Sequence, residues 1–342
     1  MQKAGNAMIR FCTILIVTLF VTPISASDES LVIYGSRQQA LMAPLLQAYR
    51  ASRGVAVRYV QDKSDQLLQR LAEEGDASSA DLLLTADIGV LEAAREMGLL
   101  QAKQSQLLSS LIPAKYRDPQ GFWYGLSLRA RMLLYVPGRI PRFELRDYAD
   151  LSSSALKGRV CMRDLKHVYN QSLIAALVAR WGEKRVRAWL SGVISNLARP
   201  PQGGDRDQVR ALAKGECDVA VVNSYYFAMM LDGDNERDRE VANRVSRVWP
   251  ETGVHVNISG GGVTHHSPHP QLAIDFLEFL AGFDSQRLFA ELNHEYPAVL
   301  GVPVSHTLMR LGAFEADFRP LALIARQREK ASKVIHDLSN TD

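Results

Sequence analysis

Two hydrophobic periods alternate along the first third of the chain. Short apolar runs in "SLVIYGS", "VAVRYVQ" and "ADLLLTAD" predict strands. Helical spacing of apolar residues in "QALMAPLLQAYRASRG", "SDQLLQRLAEEG" and "IGVLEAAREMGLL" predicts helices that follow them. Ser64 is a suitable N-cap for one helix, and Gly54 and Gly75 are suitable stops for two of them. This alternation predicts an α/β fold with a parallel sheet covered by helices.

The alternation is interrupted by a long extended stretch from Trp123 to Pro137, which no helix follows. A second strand-and-helix series runs from "GRVCM" to "DVAVVN", and "GVHVNISGGGVTHHSPHP" is again extended and rich in glycine. A strong helix begins behind Pro270, and the tail from Phe314 to Leu338 has helical periodicity. We interpret the extended stretches as crossings between two lobes.

The predicted organisation is therefore two α/β lobes with a hinged cleft between them. The N-terminal lobe comprises residues 27–127 and 255–304, and the C-terminal lobe comprises residues 128–254 and 305–342. A cleft between lobes is the usual place for a ligand, and closure about a hinge is typical of solute receptors.

Residues 1–26 have the pattern of a signal peptide. Lys3 and Arg10 precede the apolar run "FCTILIVTLFV", and "TPISAS" then supplies small residues that suit cleavage after Ala26. The run is short for a membrane span, although an uncleaved anchor remains an alternative. We expect an exported, periplasmic protein.

Composition supports a globular protein and argues against nucleic acid as a partner. The 342 residues are 47% hydrophobic and 23% charged, and the net charge of +3 comes from scattered basic residues. This length suits two domains better than one. No catalytic signature such as G-x-S-x-G is present, so we do not expect an enzyme.

The stretch "CDVAVVNSYYFAMM" places Tyr225 and Tyr226 directly after a predicted buried strand. Ligands in open α/β sheets bind outside the carboxyl ends of such strands. Asn223 and Ser224 could cap a following helix, which would put the tyrosines in its first turn. Taken alone, the pair could be a binding site or amphipathic packing over the core.

Two cysteines remain after the predicted cleavage, Cys161 and Cys217. They could pair in an oxidising compartment. Each lies beside a predicted buried strand, however, where a free thiol packs as a small hydrophobic group, and we favour free thiols.

Several segments together resemble the ferric-iron-binding periplasmic proteins of iron ABC transporters. They are "LVIYGSRQQA", "ADLLLTADIGVL", "WYGLSLRARMLLY", "VYNQSLIAAL", "GECDVAVVNSYYFAMM", "NISGGGVTHHSPHPQLAIDFLEFL" and "NHEYPAVLGVP". The resemblance covers nearly all of the mature chain. It implies the type II periplasmic-binding-protein fold, ferric iron as the cargo, an inner-membrane ABC permease as the partner and a monomeric receptor.

The resemblance also implies the metal ligands. Tyr225 and Tyr226 match the tyrosine pair that binds Fe³⁺ in this family, and Tyr169 matches a third tyrosine ligand of several members. Phenolate oxygen suits a hard trivalent cation, whose charge can drive deprotonation of a phenol with an ordinary pKa near 10.

The chain departs from the family where other members often carry His and Tyr ligands near the amino terminus. Gln38 and Gln39 stand there and offer only neutral oxygen, so they are at most additional contacts. Carbonate or another small anion could complete the coordination. The resemblance implies Arg129 and Arg131 as its binding residues, and Asn223 could donate to it or cap a helix.

Three other features have simpler explanations. His265, His266 and His269 lack zinc-site spacing and fit a loop that leads into a helix. Tyr34 fits packing at a strand end, and Asp87 fits a helix N-cap. Two alternatives to an iron receptor remain, namely a receptor for another small solute or anion, and a secreted metal-dependent hydrolase built on the histidines.

Overall fold

The computed structural model describes residues 30–141 and 144–339. The predicted signal peptide, residues 1–26, lies outside these ranges. Within them, no helix combines the length and the apolar character needed to cross a bilayer.

The strands occupy short segments spread over the whole described chain. They are β1 (Ser30–Gly35), β2 (Ala56–Gln61), β3 (Leu82–Thr85), β4 (Tyr124–Tyr135), β5 (Val160–Cys161), β6 (Val219–Asn223), β7 (Ser246–Val248), β8 (Val256–Val263) and β9 (Tyr296–Pro297).

The helices fill the connections between these strands and the C-terminal tail. They are α1 (Gln39–Arg53), α2 (Ser64–Glu74), α3 (Ile88–Glu96), α4 (Gln106–Leu111), α5 (Val168–Trp181), α6 (Glu183–Ser195), α7 (Asp205–Lys214), α8 (Ser224–Asp232), α9 (Glu236–Asn243), α10 (Pro270–Ala281), α11 (Phe283–Asn293), α12 (His306–Arg310), α13 (Leu321–Ala325) and α14 (Arg328–Ser339).

The sheet follows the order β2-β1-β3-β8-β4-β6-β5, with β7 and β9 also paired to β4. β1 is parallel to β2 and β3, and β5 is parallel to β6. β8 is antiparallel to both β3 and β4, and β4 is antiparallel to β6. The parallel sheet predicted from the first third of the chain is confirmed for β1, β2 and β3. The two long crossing strands, β4 and β8, run antiparallel to their neighbours at the centre of the sheet.

β4 is the strand that joins the two halves of the molecule. Its first part, through Ala130, pairs with β8, and its second part, from Arg131, pairs with β6. The extended stretch predicted from Trp123 to Pro137 is confirmed by this strand. The two-lobed type II α/β fold is confirmed as well, whereas the exact lobe boundaries stay a prediction.

One large hydrophobic cluster includes residues of both halves. Ile88 at the start of α3, Ala175 in α5 and Ile324 in α13 are buried members of it. α13 contacts both α3 and α5, so this short helix packs where the two lobes meet. The apolar faces that the sequence shows in these helices are thus buried against one another.

The C-terminal tail is helical only from Leu321 onward. The preceding segment is extended, because its backbone pairs with Val254: the Val254 amide donates to Glu315 and the Asp317 amide donates to Val254. Pro320 also disfavours helical geometry in the residue before it. The prediction of helix from Phe314 is wrong for this first part.

Cys161 and Cys217 form a disulfide, with their Cα atoms 5.8 Å apart. The expectation of free thiols is wrong, although both residues are buried as predicted. Cys161 ends β5 and Cys217 lies just before β6, and the parallel pairing of these strands brings the two together. That pairing between distant segments could not be read from the local pattern.

Candidate functional site

Tyr225 and Tyr226 lie in the first turn of α8, directly after β6, as predicted. Their rings pack face to face at a tilt, with centroids 4.0 Å apart. Asn223 occupies the N-cap position, but its side chain makes no capping hydrogen bond. Its Oδ1 instead accepts from Nη1 of Arg131 at 3.4 Å.

Tyr169 lies in the first turn of α5, and the structure brings it to Tyr225. The hydroxyl oxygens of the two phenols are 3.1 Å apart. The guanidinium carbons of Arg129 and Arg163 lie 5.4 and 5.0 Å from the centre of the Tyr169 ring. Two helix starts, separated by 56 residues in sequence, thus place phenol oxygens in mutual contact beside positive charge.

Burial governs the ionisation of the tyrosine pair in the metal-free protein. It raises the pKa of Tyr225 well above 10, and the neighbouring phenols Tyr169 and Tyr226 raise it further. Burial also raises the pKa of Tyr226, with a second contribution from Tyr169. Both phenols are therefore protonated at neutral pH and ionise only if a cation compensates the new charge.

A cavity of about 430 Å³ opens in front of these phenols. We call one side the phenol wall, which consists of Tyr169, Tyr225, Tyr226, Arg163 and Asp205. The opposite side, the carboxylate wall, consists of Ser36, Arg37 and Glu295. The remaining lining residues are Gln38, Leu41, Ala86, Arg129, Gly204, Arg206, Asp207, Arg210 and Met229.

The carboxylate wall is held by a bidentate ion pair. Both Nη atoms of Arg37 lie 2.9 Å from carboxylate oxygens of Glu295, and both side chains are buried. Ser127 and Ser259 add hydrogen bonds to this pair from behind. Burial alone raises the pKa of Glu295, but Arg37 and Arg129 outweigh that effect and hold the pKa below its usual range.

Arg129 lies between the two walls and has unused hydrogen-bonding capacity. Its side chain is 3% exposed, and its Nη2 donates to the carbonyls of Ala86 and Ile258. The buried Nε atoms of Arg37 and Arg163, which also line the cavity, have no hydrogen-bond partner within the described residues, and neither has the buried Nε of Arg129. Since an unpaired buried donor is costly, this atom fits an anionic ligand in the cavity.

Arg131 is placed differently from Arg129, although only one residue separates them. It does not line the cavity. Its guanidinium pairs with Asp205 at 2.8 Å and with the Asn170 side-chain oxygen at 2.6 Å, and both ionic partners are almost fully buried. The expected anion-binding role of Arg131 and Asn223 does not fit this placement, because the two side chains bond to each other and to the interior.

Arg163 and Asp205 of the phenol wall were not predicted from the sequence. Asp205 accepts from Arg131 and Arg163 at 2.8 and 3.0 Å, and from the backbone amide of Asn223 at 2.6 Å. It therefore fixes the strand end that carries Tyr225 as well as an arginine that stacks on Tyr169. The charge run at the start of α7 was a visible signal, but nothing local connected it to the tyrosines.

Arg37 and Glu295 were missed as well, although both stand in segments that carried the family resemblance. They are separated by 258 residues in sequence, so only the fold brings them together. Gln38 lines the cavity as expected, whereas Gln39 does not. The backbone amide of Gln39 donates to the side chain of Gln61 at 2.7 Å.

The discounted residues have the structural roles that were predicted. Tyr34 is buried and donates to Glu74 at 2.9 Å, and the Asp87 side chain caps α3 by accepting from the Gly89 amide at 2.8 Å. His269 lies 3.3 Å from Asp81, outside the cavity. In residues 30–141 and 144–339, no group of three or more His, Cys, Asp or Glu side chains could hold a metal ion.

The fold and this cavity define a class, that of two-lobed solute-binding receptors. Residues 77–310 match the family model described as bacterial extracellular solute-binding protein. Iron uptake protein A1 of Synechocystis is 36% identical over 313 residues, which are 91% of this chain and 87% of that protein. The major ferric iron-binding protein of Neisseria meningitidis is 23% identical over 96% of this chain and 97% of its own length.

Solved structures agree with this class. An iron- and citrate-bound protein of Trichodesmium has a TM-score of 0.86 at 36% identity and covers 91% of this chain and 99% of its own. The ferric binding protein of Campylobacter jejuni has a TM-score of 0.87 at 34% identity, over 90% of this chain and 99% of its own. The chain belongs to the bacterial extracellular solute-binding proteins, among their periplasmic ferric-iron-binding members.

Membership in this family establishes the general class of function and the compartment. Proteins of this family bind solutes and are not enzymes, so the hydrolase alternative is excluded. They are periplasmic and work with ABC permeases, and the relatives support iron binding and transport for this chain.

Proposed function

We propose that this protein captures ferric iron as a complex with the phenolates of Tyr169, Tyr225 and Tyr226. The observation that supports this is the convergence of the three phenols in the cavity, with the Tyr169 and Tyr225 oxygens 3.1 Å apart. Neutral phenols gain little from such crowding, whereas Fe³⁺ would hold three phenolate oxygens and balance their charge.

Three phenolates leave Fe³⁺ short of six-coordination, and an anion at Arg129 is our proposal for the missing ligands. Arg129 offers a buried donor without a partner, and Arg163 adds a second guanidinium beside the Tyr169 ring. Gln38 and Gln39 supply no anionic oxygen. Carbonate would occupy two coordination positions. The Trichodesmium relative is a complex with iron and citrate, so citrate is a larger anion to test in the same role.

The proposed function also includes export of the protein and delivery of its iron. The chain is exported by a signal peptide cleaved after Ala26, acts as a monomer and presents Fe³⁺ to an inner-membrane ABC permease. Residues 27–127 with 255–304 and residues 128–254 with 305–342 close over the metal as two lobes. Scattering in solution should show a smaller radius of gyration for the ferric form than for the iron-free form, and equal radii would contradict closure on binding.

Titration of the purified mature protein with chelated Fe³⁺ in bicarbonate buffer tests the function directly. Phenolate–iron charge transfer gives a visible absorption band, so one equivalent of Fe³⁺ should colour the protein. The control is the Tyr225→Phe/Tyr226→Phe double variant, which keeps the rings and removes both oxygens. Stoichiometric iron without a visible band would contradict phenolate ligation.

A receptor for a small organic anion is the second candidate function, because the cavity is rich in cations. Its lining includes Arg37, Arg129, Arg163, Arg206 and Arg210. Among the described residues, Arg37, Arg163 and Arg210 form ion pairs with carboxylates within 4 Å, whereas Arg129 and Arg206 form none. Calorimetry with carbonate, citrate and a sugar phosphate in the absence of iron would favour this function if one of them binds tightly and colourlessly.

A further inference from the structure

Asn257, in β8 behind the cavity, uses the whole hydrogen-bonding capacity of a buried side-chain amide. Its Nδ2 donates to Asp87 Oδ2 at 2.6 Å and to Ser172 Oγ at 2.7 Å. Its Oδ1 accepts from the amides of Ile88 at 3.0 Å and Ile258 at 2.8 Å. An amide with two donors and two acceptor positions can do no more, and a satisfied buried network of this kind specifies one arrangement.

The partners of Asn257 belong to different lobes of the predicted organisation. Asp87 and Ile88 begin α3 in residues 27–127, whereas Ser172 lies in α5 in residues 128–254. The amide therefore holds the start of α3 and the first part of α5 at a fixed separation.

The start of α3 and the first part of α5, which Asn257 connects, both lie next to residues of the cavity. Ser172 lies one turn after Tyr169 on α5, so their side chains share one helix face. Ala86 directly precedes Asp87, lines the cavity and accepts a hydrogen bond from Arg129. Asn257 is also the direct cross-strand partner of Arg129 in the β4–β8 pair. By holding α3 and α5 apart at a fixed distance, Asn257 therefore also fixes the distance between Tyr169 and Arg129.

His255 completes the connection on the side of α5. Its Nε2 lies 2.9 Å from Ser172 Oγ, and its backbone carbonyl accepts from the amide of Arg131. Burial lowers the pKa of His255 to about 3, so the ring is neutral and adds a hydrogen bond without adding charge. Ser172 is consequently held by Asn257 of β8 and by His255, the residue directly before this strand.

We propose that Asn257 is a positioning residue that sets the distance between Tyr169 and Arg129 across the hinge. The third phenolate and the anion then meet the same ferric ion. This role rests on the proposed function, since it needs Tyr169 as a ligand and Arg129 as the anion contact. Asn257 itself does not line the cavity and touches neither ligand.

The chain offers a closely matched control in Gln286. This amide is also fully buried and makes the same number of hydrogen bonds, donating to Leu126 and Leu280 and accepting from Ala298 and Val299. All its partners lie in residues 27–127 and 255–304, so it connects nothing across the hinge. Asn257→Ala and Gln286→Ala should both reduce thermal stability, because each leaves buried groups unpaired.

The test compares Asn257→Ala, Ser172→Ala and Gln286→Ala with the wild-type mature protein. Ferric affinity is measured against a competing chelator, and the visible charge-transfer band is recorded for each ferric form. Asn257→Ala should bind Fe³⁺ roughly 10- to 100-fold more weakly, as supporting residues of metal sites do, with a shifted band. Ser172→Ala should change the affinity and the band in the same direction. The double variant should bind Fe³⁺ no more weakly than Asn257→Ala alone.

A wild-type band and affinity in Asn257→Ala, or additive losses in the double variant, would overturn the positioning role. Circular dichroism checks folding, and Ser172→Ala carries the test if Asn257→Ala does not fold. If the wild type binds no iron, the proposed function fails separately. Scattering of the iron-free proteins then tests the positioning role of Asn257. A radius of gyration that changes in Asn257→Ala but not in Gln286→Ala supports this role, and equal radii overturn it.

Discussion

The two walls of the cavity differ in how their charges are balanced. In the carboxylate wall, Arg37 and Glu295 neutralise each other's charge at 2.9 Å. In the phenol wall, Tyr225 and Tyr226 are neutral, and burial raises the pKa of both phenols above the ordinary value. The carboxylate wall is therefore balanced by its own charges, whereas the phenol wall would become charged in the proposed ferric complex. The predictions below separate these two behaviours.

The largest expected effect is the pH dependence of ferric affinity. In the proposed complex Fe³⁺ is bound by phenolates, whereas the raised pKa values of Tyr225 and Tyr226 keep both phenols protonated at neutral pH in the iron-free protein. Binding therefore releases at least these protons, and affinity rises with pH and falls as pH falls, by roughly tenfold per pH unit for each proton released. Competition against a chelator of known proton uptake measures the slope, which Tyr225→Phe should reduce by one proton.

Loss of single phenol oxygens should have the next largest effect. Changes of residues that only support metal ligands cost about 10- to 100-fold in affinity, so Tyr169→Phe, Tyr225→Phe and Tyr226→Phe should each cost about 100-fold or more. The fold should persist, because phenylalanine retains the packed ring. Two single variants with wild-type affinity in direct titration would show that the tyrosine pair covers the core instead.

Substitutions of Arg129 and Arg131 should have different effects, one mainly on anion-dependent iron binding and the other mainly on stability. Arg131→Met removes one of the two arginines that pair with the buried Asp205, and breaking a buried ion pair of this kind costs about 3–5 kcal/mol of unfolding free energy. Arg129→Met removes hydrogen bonds to two carbonyls, which costs about 1–3 kcal/mol, but it should abolish the bicarbonate dependence of iron binding. Urea unfolding and iron titration with and without bicarbonate measure both. Bicarbonate dependence retained in Arg129→Met would contradict the anion assignment.

The smallest expected effect concerns Gln38 and Gln39. The double variant Gln38→His/Gln39→Tyr restores side chains that could ligate Fe³⁺ and should reduce the dependence on bicarbonate, by about tenfold in the affinity ratio. Gln38 lines the cavity and Gln39 does not, so Gln38→His alone should give more of this change than Gln39→Tyr alone. Wild-type affinity that stays undiminished in carbonate-free buffer, with no other anion bound, would mean that protein side chains complete the coordination.

The sequence predicted the elements of the phenol wall well, because the signals are local. A buried strand followed by two tyrosines defines β6 and the first turn of α8, and the structure has both. The carboxylate wall could not be predicted in this way, since Arg37 and Glu295 meet only through the fold. The different placement of Arg129 and Arg131 was equally hidden, because it depends on where β4 changes partner from β8 to β6. Pairing of Cys161 with Cys217 depends on a contact of the same kind.

The disulfide also bears on the order in which the exported chain matures. Cys161 precedes Tyr169, and Cys217 precedes Tyr225, by the same number of residues, so the bond joins the two segments at corresponding points before their phenols. In an oxidising compartment it can form as soon as the chain as far as Cys217 has been translocated, before β8 and the last part of the N-terminal lobe have emerged. By the chain-entropy argument, a closed loop of this length removes about 4 kcal/mol of freedom from the unfolded chain. The segments that carry Tyr169 and Tyr225 can thus be held close together while the carboxylate wall is still incomplete.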